Sequence, residues 1–183
     1  MQPTPIHSLA VFCGSKYGVN QLFAEHAVAL GKIMVKHEVT LIYGGGNVGL
    51  MGTIADTVMQ HGGRAIGVIP QVLVEWERQH TSLSELFVVD DMHTRKKKMY
   101  ELCDAAIILP GGFGTLDELF EMVTWNQLSI HDKHIFILNS GDYYKHLIAH
   151  IAHMQQENFL YEAAYQRLSV IDEPGGIVKF LAS

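Results

Sequence analysis

Apolar positions recur along the chain in short unbroken runs, at residues 9–13, 40–43, 65–69, 86–89, 105–109 and 135–138. Each run is strand-sized and rich in aliphatic and β-branched side chains, as a strand covered on both faces must be. Between the runs lie longer segments in which apolar residues return at helical spacing, among them Leu22, Ala29 and Ile33, the stretch 54–59 and the stretch 116–128. Parallel neighbours need crossover connections, so regular alternation of strand and helix predicts an α/β domain. We expect a Rossmann-like, doubly wound parallel sheet with helices on both faces. Residues 169–171 predict a short last strand, and Pro174 followed by Gly-Gly-Ile-Val-Lys-Phe-Leu predicts a terminal helix.

Composition narrows the function classes. With 183 residues, 48% hydrophobic and 17% charged, the chain has enough apolar material for one compact domain spanning 1–183 and too little charge for disorder. A formal charge of −6 gives no field favouring a phosphate backbone, so polymeric nucleic acid is not expected as a partner. Cys13 and Cys103 belong to no CxxC or Cys/His pattern and predict buried thiols. The first residues carry no positive leader, and their apolar run is too short for a signal peptide or membrane span, so we expect a cytoplasmic protein with no membrane partner. His146, His150 and His153 stand at helical spacing, but Leu147, Ile148, Ile151 and Met154 already supply that helix's apolar stripe and no HExxH motif accompanies them. No metal is expected.

The candidate chemistry lies where strands end in glycines: Cys-Gly-Ser at 13–15, Tyr-Gly-Gly-Gly at 43–46 and Pro-Gly-Gly-Phe-Gly-Thr at 110–115. In a doubly wound sheet these ends share one edge, where ligands bind and a glycine lets backbone approach them closely. Because the last loop runs into a helix, the backbone N–H groups there and the Thr115 hydroxyl suit a phosphate. The Walker A pattern is absent, and so is GxGxxG at the first turn, which disfavours triphosphate transfer and NAD. Thr115 with Glu118 also fits a capping box, so capping and catalysis compete as explanations of Glu118. Residues 92–99 read Met-His-Thr-Arg-Lys-Lys-Lys-Met and place Arg95 near a helix start, where a cation needs an anionic partner.

The stretch 110–118 matches PGGxGTxxE in full and resembles the signature of the LONELY GUY family, the cytokinin riboside 5′-monophosphate phosphoribohydrolases often mislabelled lysine decarboxylases. The Gly-Gly-Gly segment at 43–52 and Met-His-Thr-Arg-Lys at 92–96 occur in the family's order and spacing. The resemblance implies a Rossmann-like homodimer as the smallest unit, with higher homo-oligomers open. It also implies hydrolysis of a nucleoside 5′-monophosphate to free base and ribose 5-phosphate, with no cofactor. Its catalytic arginine and glutamate fall on Arg95 and Glu118, and its phosphate loop on Gly111, Gly112, Gly114 and Thr115. We expect further substrate contacts from Gly14, Ser15, Gly44, Gly45, Gly46 and Met92. The resemblance implies a small-molecule nucleotide substrate, with AMP and an N6-modified cytokinin nucleotide both left open.

Two rivals remain in view. Lysine decarboxylation needs a Schiff-base lysine with pyridoxal phosphate, and nothing marks Lys96, Lys97 or Lys98 for it. A non-catalytic carrier of a phosphorylated cofactor, such as molybdenum cofactor, would use similar glycine loops, and the presence of both Arg95 and Glu118 favours the enzyme over it. Along 116–128 the apolar residues Leu116, Leu119, Phe120, Met122, Val123, Trp125 and Leu128 cover more than one stripe, which predicts that this helix meets a symmetric partner.

Overall fold

A computed structural model describes residues 5–74, 79–161 and 165–181. Among them, seven strands form one parallel sheet: β1 (Ser8–Phe12), β2 (Thr40–Tyr43), β3 (Ala65–Pro70), β4 (Glu85–Val89), β5 (Ala105–Ile108), β6 (His134–Leu138) and β7 (Leu168–Ile171). Their order is β4-β3-β2-β1-β5-β6-β7. The helices α1 (Leu22–Lys36), α2 (Gly49–Gln60), α3 (Met92–Leu102), α4 (Phe113–Gln127) and α5 (Lys145–Gln156) lie between them. The chain winds outward from β1 to β4, then returns to the other side of β1, so Leu9 is registered with Leu41 of β2 and with Ala105 of β5. This is the doubly wound order anticipated above, with its switch point between β1 and β5.

Strand alternation sorts the core into two layers. Leu9, Val11, Ile107, Phe136 and Leu138 meet α1 and α2 on one face, while Ala10, Phe12, Ile108, Ile135 and Ile137 meet α3, α4 and α5 on the other. The edge strands depart from the uniform burial that the pattern predicts: Val88 of β4 is 48% exposed and Val170 of β7 is 44% exposed. An edge strand has only one neighbour, and the helices centre over the middle of the sheet.

Two predicted helix details are corrected. After Pro174 the chain forms a 3-10 segment, Pro174–Phe180, rather than an α-helix; consecutive Gly175 and Gly176 weaken an α-helix by about 1 kcal/mol each. Nor does the capping box form. Helix α4 begins at Phe113 with Gly112 as its N-cap and no side-chain cap bond, because glycine there takes the required extended backbone. Thr115 is therefore the third helical residue, buried at 4% exposure, and Glu118 lies beyond the first turn.

Candidate active site

Three loops meet at the carboxyl ends of β1, β2 and β5 and are stitched together by backbone. The Gly14 N–H donates to Pro110 O at 3.0 Å, and Gly14 O accepts from the Leu50 N–H at 3.1 Å. A pocket of about 550 Å³ opens above them. It is lined by Gly14, Ser15, Gly44, Met92, Arg95, Gly111, Gly112, Gly114, Thr115 and Glu118, so the fold gathers into one cavity residues spread over a hundred positions of sequence. Gly45 and Gly46 do not line it. Gly45, at φ +78°, is packed against Ile69 and Leu86, and Gly46 forms a bridge to Gln79.

Arg95 reaches the pocket floor from α3, whose first turn is capped by Asp91. The Asp91 carboxylate accepts from the Thr94 N–H at 2.7 Å, and that backbone bond, aided by the Thr94 side chain, holds its pKa below the ordinary value. Arg95 itself is only 5% exposed. Its Nε donates to Val68 O and its Nη2 to Gly44 O, each at 3.1 Å. The cation that seemed misplaced at a helix start is thus turned down onto carbonyl oxygens at the sheet edge, whose partial negative charge compensates it. Gly44 makes this possible, because a Cβ there would overlap the guanidinium.

The phosphate-type loop is held from below. The Tyr143 hydroxyl donates to Gly111 O at 2.6 Å and the Tyr144 hydroxyl to Leu109 O at 2.7 Å. Burial, with a smaller contribution from Tyr143, pushes the Tyr144 phenol well above its ordinary range, so it stays a donor. A Cβ at Gly111 would meet the Thr115 side chain, whereas Gly112 and Gly114 face open space. The N–H groups of Phe113, Gly114 and Thr115 have no acceptor within the helix and lie at its positive end, beside that space. Glu118, half-buried, lines the same cavity farther along α4.

Lys16, Tyr17, Phe23, Leu73, Asp117 and Tyr143 also line the pocket and escaped the sequence reading. Lys16 had a signal, a cation just beyond a glycine at a strand end; Tyr143 had none, being 32 residues from the Gly111 that it supports. Of the lysines beside Arg95, Lys96 pairs with Asp117 and Glu121, and Lys98 lies 4.7 Å over the Phe87 ring. His146, His150 and His153 lie exposed on α5, and no group of metal-ligating residues assembles among the described residues.

Residues 51–181 match the family model described as "Possible lysine decarboxylase". The chain is 40% identical over 183 residues to a cytokinin riboside 5′-monophosphate phosphoribohydrolase of Rhodococcoides fascians, covering all of this chain and 92% of that one. It is 42% identical over 160 residues to an enzyme of the same name from Arabidopsis thaliana, covering 87% of this chain and 74% of that one. Among solved structures, a molybdenum cofactor binding protein from Rippkaea orientalis superposes with a TM-score of 0.71 at 19% identity, over 98% of this chain and 96% of that one. The Moco carrier protein of Chlamydomonas reinhardtii gives 0.70 at 18% identity, over 96% and 94%. At such identity these two likenesses establish the fold alone. Identity at the level of the first two relatives, over nearly the whole chain, means that the chain belongs to the LONELY GUY family of cytokinin riboside 5′-monophosphate phosphoribohydrolases.

Proposed function

We propose that the chain hydrolyses the N-glycosidic bond of a purine or cytokinin nucleoside 5′-monophosphate, releasing free base and ribose 5-phosphate. The observation that carries this reading is the convergence, in one cavity, of an uncapped helix N-terminus, a buried arginine and a half-buried glutamate. In this reading the 5′-phosphate rests on the N–H groups of Phe113, Gly114 and Thr115. The exposed rings of Tyr17 and Phe113 at the rim offer a planar base a stacking surface.

As the C1′–N bond breaks, its electron pair leaves with the base and positive charge builds on the ribose. Glu118 offsets that charge and takes a proton from the water whose oxygen bonds to C1′. A guanidinium is a poor proton acceptor, so Arg95 orients the nucleotide and steadies charge on the departing base rather than acting as the base catalyst. The proton that Glu118 takes from water passes on to the departing base nitrogen, which restores the carboxylate and completes the balance.

The test is base release from a panel containing AMP, N6-isopentenyladenosine monophosphate and adenosine. Both monophosphates, or one of them, should turn over while adenosine reacts poorly, because binding energy from the remote phosphate positions C1′. Equal rates on AMP and adenosine would remove the phosphate site from the mechanism. Stabilisation by AMP without turnover would favour the carrier. Glu118→Gln and Arg95→Ala should each lose roughly 100-fold or more in kcat with the fold intact, the scale at which lost transition-state electrostatics is felt.

A homodimer built on α4 is part of the proposal, with a changed contact. Trp125 is half-buried, with its ring edge-on to Tyr100 at 5.1 Å. Along 116–128, Phe120 is 42% exposed and Leu128 63% exposed, and Phe120 lines a groove of about 200 Å³ with Val123, Met154 and Leu160. Phe120→Glu should therefore shift sedimentation toward monomer; a sedimentation profile identical to the wild type would move the interface elsewhere. No helix among the described residues is long and apolar enough to cross a membrane. Cys13 and Cys103 are buried as thiols, which accords with a cytoplasmic setting.

A further inference from the structure

Lys96 follows Arg95 on α3 but serves another direction. Successive helical residues project about 100° apart. Arg95 reaches down to the sheet, and Lys96 faces α4, where its ammonium lies 3.0 Å from Asp117 and 3.0 Å from Glu121. These carboxylates stand four residues apart on one stripe of α4, and Glu118 adjoins that stripe. The Glu121 side of the contact is sheltered, with the side chain of Lys96 14% exposed and that of Glu121 19% exposed, while Asp117 lies nearer solvent at 60%. The Tyr100 hydroxyl adds a second α3 donor to Glu121 at 2.8 Å.

The electrostatics keep this contact closed. Burial acts to lower the Lys96 pKa, but the hydrogen bonds and charges of Glu121 and Asp117 outweigh it and hold the ammonium above the ordinary lysine range. Burial, then the bond to Glu121, pushes the Tyr100 phenol far upward, which leaves it a donor. Asp117, Glu118 and Glu121 would otherwise crowd like charges onto little more than one turn of α4.

We propose that Lys96 is a positioning residue for the hydrolysis: by holding Asp117 and Glu121 across the seam between α3 and α4, it fixes Glu118 relative to Arg95. Arg95 and Glu118 ride on different helices, and this ion pair with the Tyr100 bond joins those helices directly behind them. The inference rests on the phosphoribohydrolase reading, so the experiment begins with wild-type turnover.

Base release from AMP is measured for wild type, Lys96→Met and Lys96→Arg, each well below its unfolding midpoint. Lys96→Met should lower kcat by roughly tenfold to 100-fold, as misplacing reacting groups by about 1 Å does. Its KM should change less than about threefold, since Lys96 does not line the pocket. Lys96→Arg keeps charge and reach and should recover most of kcat. If Lys96→Met fails to fold, Glu121→Gln, which keeps size and the Tyr100 acceptor, should show a smaller loss of the same kind. A folded Lys96→Met with wild-type kcat, a folded Glu121→Gln with wild-type kcat in its place, or an equal loss in Lys96→Arg and Lys96→Met, would overturn the positioning role while leaving the reaction standing. A wild-type chain that releases no base would overturn the reaction and this role with it.

Discussion

Gly44 to Gly46 after β2 and Gly111 to Gly114 after β5 flank the end of the same strand, yet their glycines are used in opposite ways. In the first loop the missing side chains make room for the protein's own groups: the Arg95 guanidinium lies where a Gly44 Cβ would be, and Ile69 and Leu86 close over Gly45. In the second, Gly112 and Gly114 have no neighbour near a would-be Cβ, and the space is left to whatever occupies the pocket. Glycine richness alone therefore marks a tight approach of backbone without saying what approaches. Gly44 and Gly45 are closed over by the fold, as Gly111 is by Thr115, whereas Gly112 and Gly114 face the pocket.

Gly44→Ala tests this difference most severely. The added methyl displaces the guanidinium, and a loss of about 100-fold in kcat/KM is expected, as for other small misplacements of reacting groups; CD and thermal melting should show the fold retained. Wild-type activity would mean that Arg95 does not need its present seat.

Gly112→Ala should behave differently. Its φ of −97° suits any residue, so stability should hold or rise by about 0.5–1 kcal/mol through reduced freedom of the unfolded chain. KM for AMP should rise roughly tenfold, the effect of about one lost hydrogen bond to a charged group, with little change for adenosine. A clear loss of stability in Gly112→Ala would erase the distinction between the loops.

The smallest effect concerns Asp91, which starts the helix that delivers Arg95 to the first loop. Its pKa is lowered in the folded chain. A depressed carboxyl contributes fully above its unfolded pKa, near 4, and the contribution fades as pH falls through the folded value. The melting temperature of Asp91→Ala should thus lie slightly below wild type at about pH 7, with the gap narrowing toward about pH 3. A gap independent of pH would show that the charge of the cap is irrelevant.

The central strands were legible because a parallel strand covered on both faces is apolar at every position, and β2 at Thr40–Tyr43 coincides with its predicted run. The glycine loops were legible as strand ends. The start of α4 was not: Thr-x-x-Glu satisfies a capping pattern, but the N-cap is decided by backbone angles, and Gly112 takes them first. Gly45 and Gly46 looked identical to Gly44 because the sequence does not state which glycine turns toward the crevice. The contact that half-buries Trp125 was not legible because Tyr100 belongs to another helix.

What the sequence by itself determined is local and periodic: strand and helix order, the winding of the sheet, the glycine-bearing strand ends and the motif that marks the family. Helical and strand periods are written in neighbouring residues, so they survive without coordinates. Only the tertiary structure decided how the site is held. Arg95 meets carbonyls 27 and 51 residues away, and Lys96 meets a carboxylate 21 residues away, through contacts with no repeating interval. Such pairings are set by how separate helices and strands pack together, and that geometry is a property of the whole chain.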